Sequence, residues 1–292
     1  MQLTRTSQRR WIPGRDACAF TLTELCVVVG IIVVLAAVVL PTILRSNHHV
    51  LRARCVANLR EIGVGLNVYS ADAADYYPVC GWPEGQNPWQ TYSAARVVPG
   101  TSTVTRGFMS LGLLFRTKTV RDPKLFYCPG LSLNSSTFTF TYDRFSTAPN
   151  GWPSTPVGSG EEQIRTGYNY YPQLRATVQL GGHAVPKLTY SSSTLEFGGT
   201  FNLVTPAKWF ALNPKKSIVT DLVHSLSFIS HPASGSIAGL NANFPDGGVV
   251  FQNARNNPQA FDPVRWGSSL SSDYAGVNAS NFRYIMSLWK PE

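Results

Sequence analysis

One acidic residue lies at the edge of the most apolar stretch of the chain. Glu24 is followed by sixteen residues, 25–40, without a polar side chain. An ionised carboxylate costs roughly 2.5 kcal/mol or more at a bilayer centre and less near its edge, so Glu24 needs a partner. Residues 16–44 contain no Lys, Arg or His. Glu24 therefore either reaches the headgroups or meets a new cation, such as the amine of Phe20 after cleavage behind Ala19.

Other residue types that carry chemistry are sparse. The five cysteines include no Cys-x-x-Cys pair and no interleaved His at zinc spacing, so the sequence predicts no zinc site. Asp221, His231 and Asp246 could form a calcium or other metal cluster, but no acidic calcium loop is present, so the sequence does not favour one. Motifs for nucleophilic, metalloprotease or nucleotide chemistry are also missing from the sequence. We therefore predict no catalytic residue, no metal and no cofactor.

The composition limits the class of protein. The chain has 292 residues with 43% apolar and only 14% charged residues, against about 25% charged in an average protein. Aromatic residues at 12% can build a core, which argues against disorder. The net charge of +9 reflects scarce acids, and the basic residues are dispersed, so no nucleic-acid partner is expected. One elaborated domain with an anchor fits this length.

The N-terminal segments predict a membrane anchor. Residues 1–19 form a basic leader, and residues 20–41 an apolar segment long enough to cross a bilayer as a helix. Lipid favours the helix despite the many β-branched residues, because each backbone amide must be satisfied within the segment. A cleaved secretory signal is the alternative, but the apolar run ends at Pro41-Thr42 without an Ala-x-Ala cleavage site there. Pro41 is expected to kink the helix.

Beyond Pro41 the pattern predicts an amphipathic helix over residues 42–71. Apolar residues recur there at helical spacing: Leu51, Cys55, Leu59, Ile62, Leu66 and Tyr69. Pro78 disfavours helical geometry at the residue before it, so the helix should end ahead of Tyr77.

Residues 72–292 are predicted to form an exported, loop-rich β domain. Alternating patterns indicate strands at 138–142, 176–180, 217–220 and 248–251, whereas 81–107 and 143–166 resemble long surface loops. Apolar residues at helical spacing predict a C-terminal helix: Phe282, Ile285, Met286 and Trp289. The expected fold class is α+β, a long N-terminal helix packed on antiparallel sheets.

The stretch A-F-T-L-T-E-L at residues 19–25, with the apolar run and Pro41, resembles the N-terminus of type IV prepilins and type II secretion pseudopilins. The resemblance implies cleavage between Ala19 and Phe20, N-methylation of Phe20, and pairing of Glu24 with a neighbour's N-terminal amine during filament assembly. Ala19 replaces the glycine usual before the cut, and Thr23 an aliphatic residue.

Weaker similarities cover other segments. Residues 55–63, 68–78 and 126–129 look like pseudopilin-like families that are abundant in planctomycete and verrucomicrobial lineages. Those families often end with a His, about nine residues and Asp-Gly. Here fourteen residues separate His231 from Asp246-Gly247. Either the hairpin carries an insertion, the interpretation we favour, or the correspondence is accidental.

The cysteines permit one structural hypothesis. Cys55 on the inner stripe of the helix pairs with Cys128, because the Cys-Pro segment should pack beside that helix. A Cys80–Cys128 bond and two free thiols are the alternatives. An oxidising periplasm would support a disulfide.

The resulting expectation is a non-enzymatic, single-pass subunit of a type IV pilus-like or type II secretion pseudopilus filament. Its expected partners are the prepilin peptidase/methyltransferase, other pilin-like subunits and the bacterial inner membrane, with the C-terminal domain periplasmic. The alternative is a membrane-anchored module that never polymerises and binds a surface carbohydrate through aromatic side chains: Trp82, Trp89, Tyr92 and Trp152.

Overall fold

The computed structural model describes residues 21–85, 88–97, 107–131, 139–147, 151–195, 199–226, 229–231, 239–266 and 279–289. Within them, the side chains of residues 41–48 and Trp89 are outside the description. The leader and the predicted cleavage site at Ala19 and Phe20 also lie outside the described residues. The chain divides into two compact units, residues 1–46 and 47–292.

The described part of the first unit is helical. Helix α1 runs over Leu22–Asp72 and continues through Pro41, so the predicted kink there stays a prediction. Its first part, Leu22–Leu40, has a mean hydropathy of 2.9 and none of it is buried. The segment is long and apolar enough to cross a membrane, a property that signal sequences share.

The second unit begins within α1, where the predicted amphipathic pattern is confirmed. Cys55, Leu59, Ile62 and Leu66 are fully buried, while Val64 and Val68 on the opposite side are exposed. A Cβ atom on Gly63 would lie 2.7 Å from Asn243 Nδ2, so a glycine here permits a close approach of the sheet to the helix.

Short strands follow α1, all of them paired antiparallel. Their bounds are β1 Gly81–Pro83, β2 Ser93–Arg96, β3 Gln163–Arg165, β4 Tyr168–Tyr170, β5 Thr177–Leu180, β6 His183–Pro186, β7 Tyr190–Thr194, β8 Thr200–Val204, β9 Val219–Asp221, β10 Gly239–Asn243 and β11 Val249–Asn253. A four-stranded sheet has the order β11-β10-β9-β4 and a three-stranded sheet the order β1-β8-β7. Strands β2 and β3 form one two-stranded sheet, and β5 and β6 another.

Three further helices complete the described fold: α2 Gly112–Arg116, α3 Pro263–Trp266 and α4 Ala279–Leu288. The predicted C-terminal helix is α4, and the four apolar residues named above are fully buried, three of them in the helix and Trp289 directly after it. Gln173 Nε2 donates hydrogen bonds to Ser217 O at 2.8 Å and Met286 O at 3.0 Å. The architecture is α+β with antiparallel sheets, as predicted.

Two local predictions were wrong. The described residues 139–142 of the expected strand at 138–142 are not a strand but lead into a 3-10 turn, Asp143–Phe145. The segments expected to be long loops contain β1, β2 and β3, and β2 pairs with β3 across the register Ser93↔Arg165. That pairing joins residues far apart in sequence, so local alternation does not reveal it.

Candidate functional site

Glu24 lies in the first turn of α1, where it forms a capping box with Thr21. Its Oε2 atom accepts hydrogen bonds from Thr21 N at 2.9 Å and Thr21 Oγ1 at 2.7 Å. In return, Glu24 N donates to Thr21 Oγ1 at 3.3 Å. Such reciprocal bonds satisfy backbone donors that the start of a helix leaves unpaired. Glu24 therefore helps to begin the helix.

The Thr-x-x-Glu spacing that produces this capping box is visible in the sequence and is a signal for Glu24 that does not depend on a cation partner. The hydrogen bonds hold the carboxylate at the N-terminal end of the helix, where the backbone dipole favours negative charge. They do not neutralise it, because Thr21 carries no charge. A cation can still pair with Glu24.

A second candidate site lies in the other unit, around a buried disulfide. Cys55 of α1 and Cys128 are bonded to each other, with their Cα atoms 5.2 Å apart and a sequence separation of 73. This is the pairing hypothesised from the sequence, with Cys80–Cys128 as one alternative. Cys80 is a buried free thiol, and its burial raises the pKa well above the ordinary value, which keeps it protonated.

Three polar side chains converge beside this disulfide. His231 Nε2 lies 3.7 Å from Cys128 Sγ, 3.2 Å from Asp221 Oδ2 and 2.9 Å from Asn241 Nδ2. Asp221 Oδ2 also accepts hydrogen bonds from the backbone and side-chain nitrogens of Asn241, at 2.6 Å and 2.9 Å. All of these residues are buried. We call Cys55, Cys128, Asp221 and His231 the disulfide cluster.

The fold brings the disulfide cluster together from four separate elements. Asp221 ends the central strand β9, and Asn241 lies on the neighbouring strand β10. His231 forms an isolated bridge with Gly239 at the start of β10. Gly130 admits the imidazole, because a Cβ atom there would lie 2.4 Å from Ser230 O and 2.9 Å from His231 Nδ1.

The hydrogen bonding at this cluster is incomplete. Asp221 Oδ1 and Asn241 Oδ1 are buried without a hydrogen-bond partner among the described residues. An unpaired buried acceptor is costly, and such atoms often mark a functional position. The Asp221 charge also affects Tyr168. Burial raises the pKa of Tyr168 well above its ordinary value, and the negative charge of Asp221 raises it further.

Sequence reasoning recognised part of this cluster. It grouped Asp221 and His231 with Asp246, but Asp246 is exposed in a turn, where its Oδ1 accepts from Gly248 N at 2.8 Å. It did not place either cysteine beside Asp221 and His231. The expectation of no zinc site was based on the spacing of residues along the chain. Such spacing does not reveal ligands that come from four elements distant in sequence.

The aromatic residues proposed for carbohydrate binding are not a surface platform. Trp82, Tyr92 and Trp152 are buried, and Trp152 Nε1 donates to Tyr127 Oη at 2.7 Å. The side chain of Trp89 lies outside the described part. That interpretation of the three described aromatic residues was wrong, because their large apolar area is used in the core.

Comparison of the chain with protein-family models, curated proteins and solved structures found no match. The described residues support a coarser conclusion. Disulfides persist mainly outside the cytoplasm, and the N-terminal apolar helix is of the kind that anchors or exports a chain. Together these features indicate a membrane-anchored or secreted extracytoplasmic protein.

Proposed function

We propose that the chain is a pilin-like structural subunit that assembles through its N-terminal helix into a type IV pilus-like or type II secretion pseudopilus filament. In this proposal the prepilin peptidase/methyltransferase cleaves between Ala19 and Phe20 and methylates Phe20. The C-terminal domain is periplasmic, and the subunit is anchored in the inner membrane until it joins the filament. Its role is structural rather than enzymatic.

The observation that carries the proposal is the exposed apolar surface of Leu22–Leu40. Large hydrophobic side chains around this helix are exposed in the single chain. Nineteen residues reach about 28 Å as a helix, close to the roughly 30 Å hydrocarbon core of a bilayer. An aqueous environment is unfavourable for such a surface, whereas lipid before assembly and neighbouring apolar helices afterwards both cover it.

Glu24 supplies the specificity that apolar packing lacks. Apolar helices slide along one another at little cost, but a carboxylate in an apolar medium strongly favours one position opposite a cation. Cleavage behind Ala19 would create that cation as the amine of Phe20 on a neighbouring subunit. Since both hydrogen bonds that the Glu24 carboxylate accepts from Thr21 use Oε2, the other carboxylate oxygen is available for this amine.

Processing is tested by intact-mass analysis and N-terminal sequencing of the chain purified from membranes of its native host. The expected mature form begins at Phe20 and carries one additional methyl group. Recovery of the full precursor from mature assemblies would contradict the proposal. It would leave a tethered protein that does not polymerise.

The assembly role of Glu24 is tested with three substitutions that separate charge from helix capping. Glu24→Gln keeps an acceptor for the capping box but removes the charge, and Glu24→Ala removes both. Thr21→Ala removes the hydroxyl that takes part in two of the capping bonds and leaves the Glu24 charge in place. After chemical crosslinking in membranes, the parent should give a ladder of linked subunits on immunoblots. We expect both Glu24 variants to insert in the membrane but to lose this ladder. Thr21→Ala should retain the ladder. A normal ladder from Glu24→Gln would show that the charge is dispensable.

A further inference from the structure

We propose that the disulfide cluster is a metal site of the zinc type when Cys55 and Cys128 are reduced. The ligands are the two cysteine Sγ atoms, His231 Nε2 and Asp221 Oδ2. The disulfide and the metal are then alternative ways of closing the same cluster. This inference is independent of filament assembly.

The distances between the ligand atoms fit one central ion. The four atoms all lie within 4.8 Å of one another. Zinc lies about 2.0–2.2 Å from nitrogen or oxygen and about 2.3 Å from sulfur, so tetrahedral geometry places N and O about 3.3 Å apart and N and S about 3.6 Å apart. The corresponding separations at His231 Nε2 are 3.2 Å to Asp221 Oδ2 and 3.7 Å to Cys128 Sγ.

The donor set selects the class of metal. Two thiolates, one imidazole and one carboxylate in a closed, buried, four-ligand arrangement suit Zn²⁺. Calcium requires six to eight oxygen ligands, which this cluster does not offer. Asn241 completes the arrangement as a supporting residue, because its backbone and side-chain nitrogens both orient Asp221 Oδ2.

The neighbours of His231 Nε2 give an independent reason to place a cation here. His231 Nε2 faces the amide nitrogen of Asn241 at 2.9 Å and the Asp221 carboxylate at 3.2 Å. When Nε2 is unprotonated it accepts from Asn241, but its lone pair then faces a carboxylate oxygen. When Nε2 is protonated it suits Asp221 but meets a second donor. A metal ion satisfies the unprotonated nitrogen and the carboxylate together.

The chemistry balances in two steps. A thiol or phosphine reductant supplies two electrons, the S–S bond breaks, and the two sulfurs take up two protons. Binding of the divalent ion then releases those two protons as both thiols become thiolates. The sulfurs must separate to about 3.8 Å around zinc. The chain also carries thiols when it is synthesised, before it reaches an oxidising compartment.

The experiment uses the full chain in detergent with Cys18→Ser and Cys26→Ser, which remove two other thiols. Correct folding is first verified by near-UV circular dichroism in the disulfide form. The protein is then reduced with a water-soluble phosphine and titrated with Co²⁺, followed by Zn²⁺. We expect one Co²⁺ per chain with the visible absorption of a tetrahedral thiolate site, displaced by Zn²⁺. The disulfide form should bind none.

Substitutions assign the ligands. Asp221→Asn and His231→Gln should each weaken binding by more than the 10–100-fold typical of losing a supporting residue, and Asn241→Ala by about 10–100-fold. Asp246→Asn, at an exposed acid of the same domain, is the matched control and should bind like the parent. The proposal is overturned if reduced protein gives no tetrahedral spectrum. It is also overturned if Asp221→Asn and His231→Gln bind Co²⁺ as tightly as the parent.

Discussion

The two halves of helix α1 share a backbone conformation but differ in what covers their side chains. In Leu22–Leu40, large apolar residues are exposed on every side of the helix. In the part that belongs to the second unit, a single stripe containing Leu59 and Ile62 is buried against the rest of that unit, and the other faces are polar or exposed. The second half obtains its hydrophobic stabilisation within one chain. The first half has no such cover in the single chain, and in the proposed filament lipid and then other subunits would supply it.

The largest expected difference between the halves comes from truncating one leucine in each. Leu59 is fully buried, so Leu59→Ala should lower the free energy of unfolding of the domain by about 2–5 kcal/mol. Leu35 is 59% exposed, and Leu35→Ala should change it by less than about 0.5 kcal/mol. Denaturant titrations of the two proteins in the same detergent measure both values. Equal losses would show that the halves do not differ in this way.

A lysine placed in each half of α1, at equally exposed positions, tests which half lies in lipid and which in water. Val33 and Val64 are both 60% exposed in the single chain. Val33→Lys should reduce membrane insertion, because a lysine near the centre of a spanning helix costs about 2.5–3.5 kcal/mol. Val64→Lys should insert normally, since that face meets water. Carbonate extraction of membranes distinguishes the two, and normal retention of Val33→Lys would argue against a span.

Glycine substitutions compare how closely each half is packed. Alanine favours a helix by about 1 kcal/mol over glycine, but overpacking typically costs about 1–3 kcal/mol. A Cβ atom at Gly63 meets Asn243 Nδ2, whereas one at Gly30 has nothing within 4 Å. Gly63→Ala should therefore destabilise the domain by about 1 kcal/mol, and Gly30→Ala should not. Thermal melting gives the ranking, and a stabilised Gly63→Ala protein would contradict the close approach.

The smallest expected effect is a pH dependence confined to the second half. Tyr77 Oη donates to Asn67 Oδ1 of α1 at 2.6 Å, and burial raises the pKa of Tyr77 from 10.0 to about 12. Between pH 10 and 12 the unfolded chain has lost this proton and the folded chain retains it, so stability is full below pH 10 and falls as the pH rises. Tyr77→Phe should remove up to about one proton from the difference between the unfolded and folded chains, so stability should fall less steeply as the pH rises. It should also lower stability at neutral pH by about 1 kcal/mol, because the hydrogen bond to Asn67 is lost.

Unfolding titrations across pH 8 to 12 test this last prediction. The apolar segment Leu22–Leu40 contains no tyrosine, so it adds no tyrosine proton to the transition. An unchanged slope in Tyr77→Phe would assign the alkaline transition to other buried tyrosines. Tyr168 and Tyr170 are the first to examine, because burial raises the pKa of each well above its ordinary value.

The two candidate sites differ in how far local pattern could reveal them. The capping box at Thr21 and Glu24 depends on two residues three positions apart, and both the spacing and the apolar run after it are legible in the sequence. The disulfide cluster joins Cys55, Cys128, Asp221 and His231 from distant elements. Helical periodicity indicated that Cys55 faces inward, but it did not identify which polar residues would meet it there.

By itself the sequence determined the elements whose signal is local: the apolar helix, its amphipathic continuation and the C-terminal helix. Each depends on which face of one helix is apolar, and that is decided by residue types at helical spacing. Only the tertiary structure decided the β2–β3 pairing, the burial of Trp82 and Trp152 and the convergence of Asp221 and His231 on the disulfide. Contacts of that kind depend on how strands from distant parts of the chain pair and pack, which no local window contains.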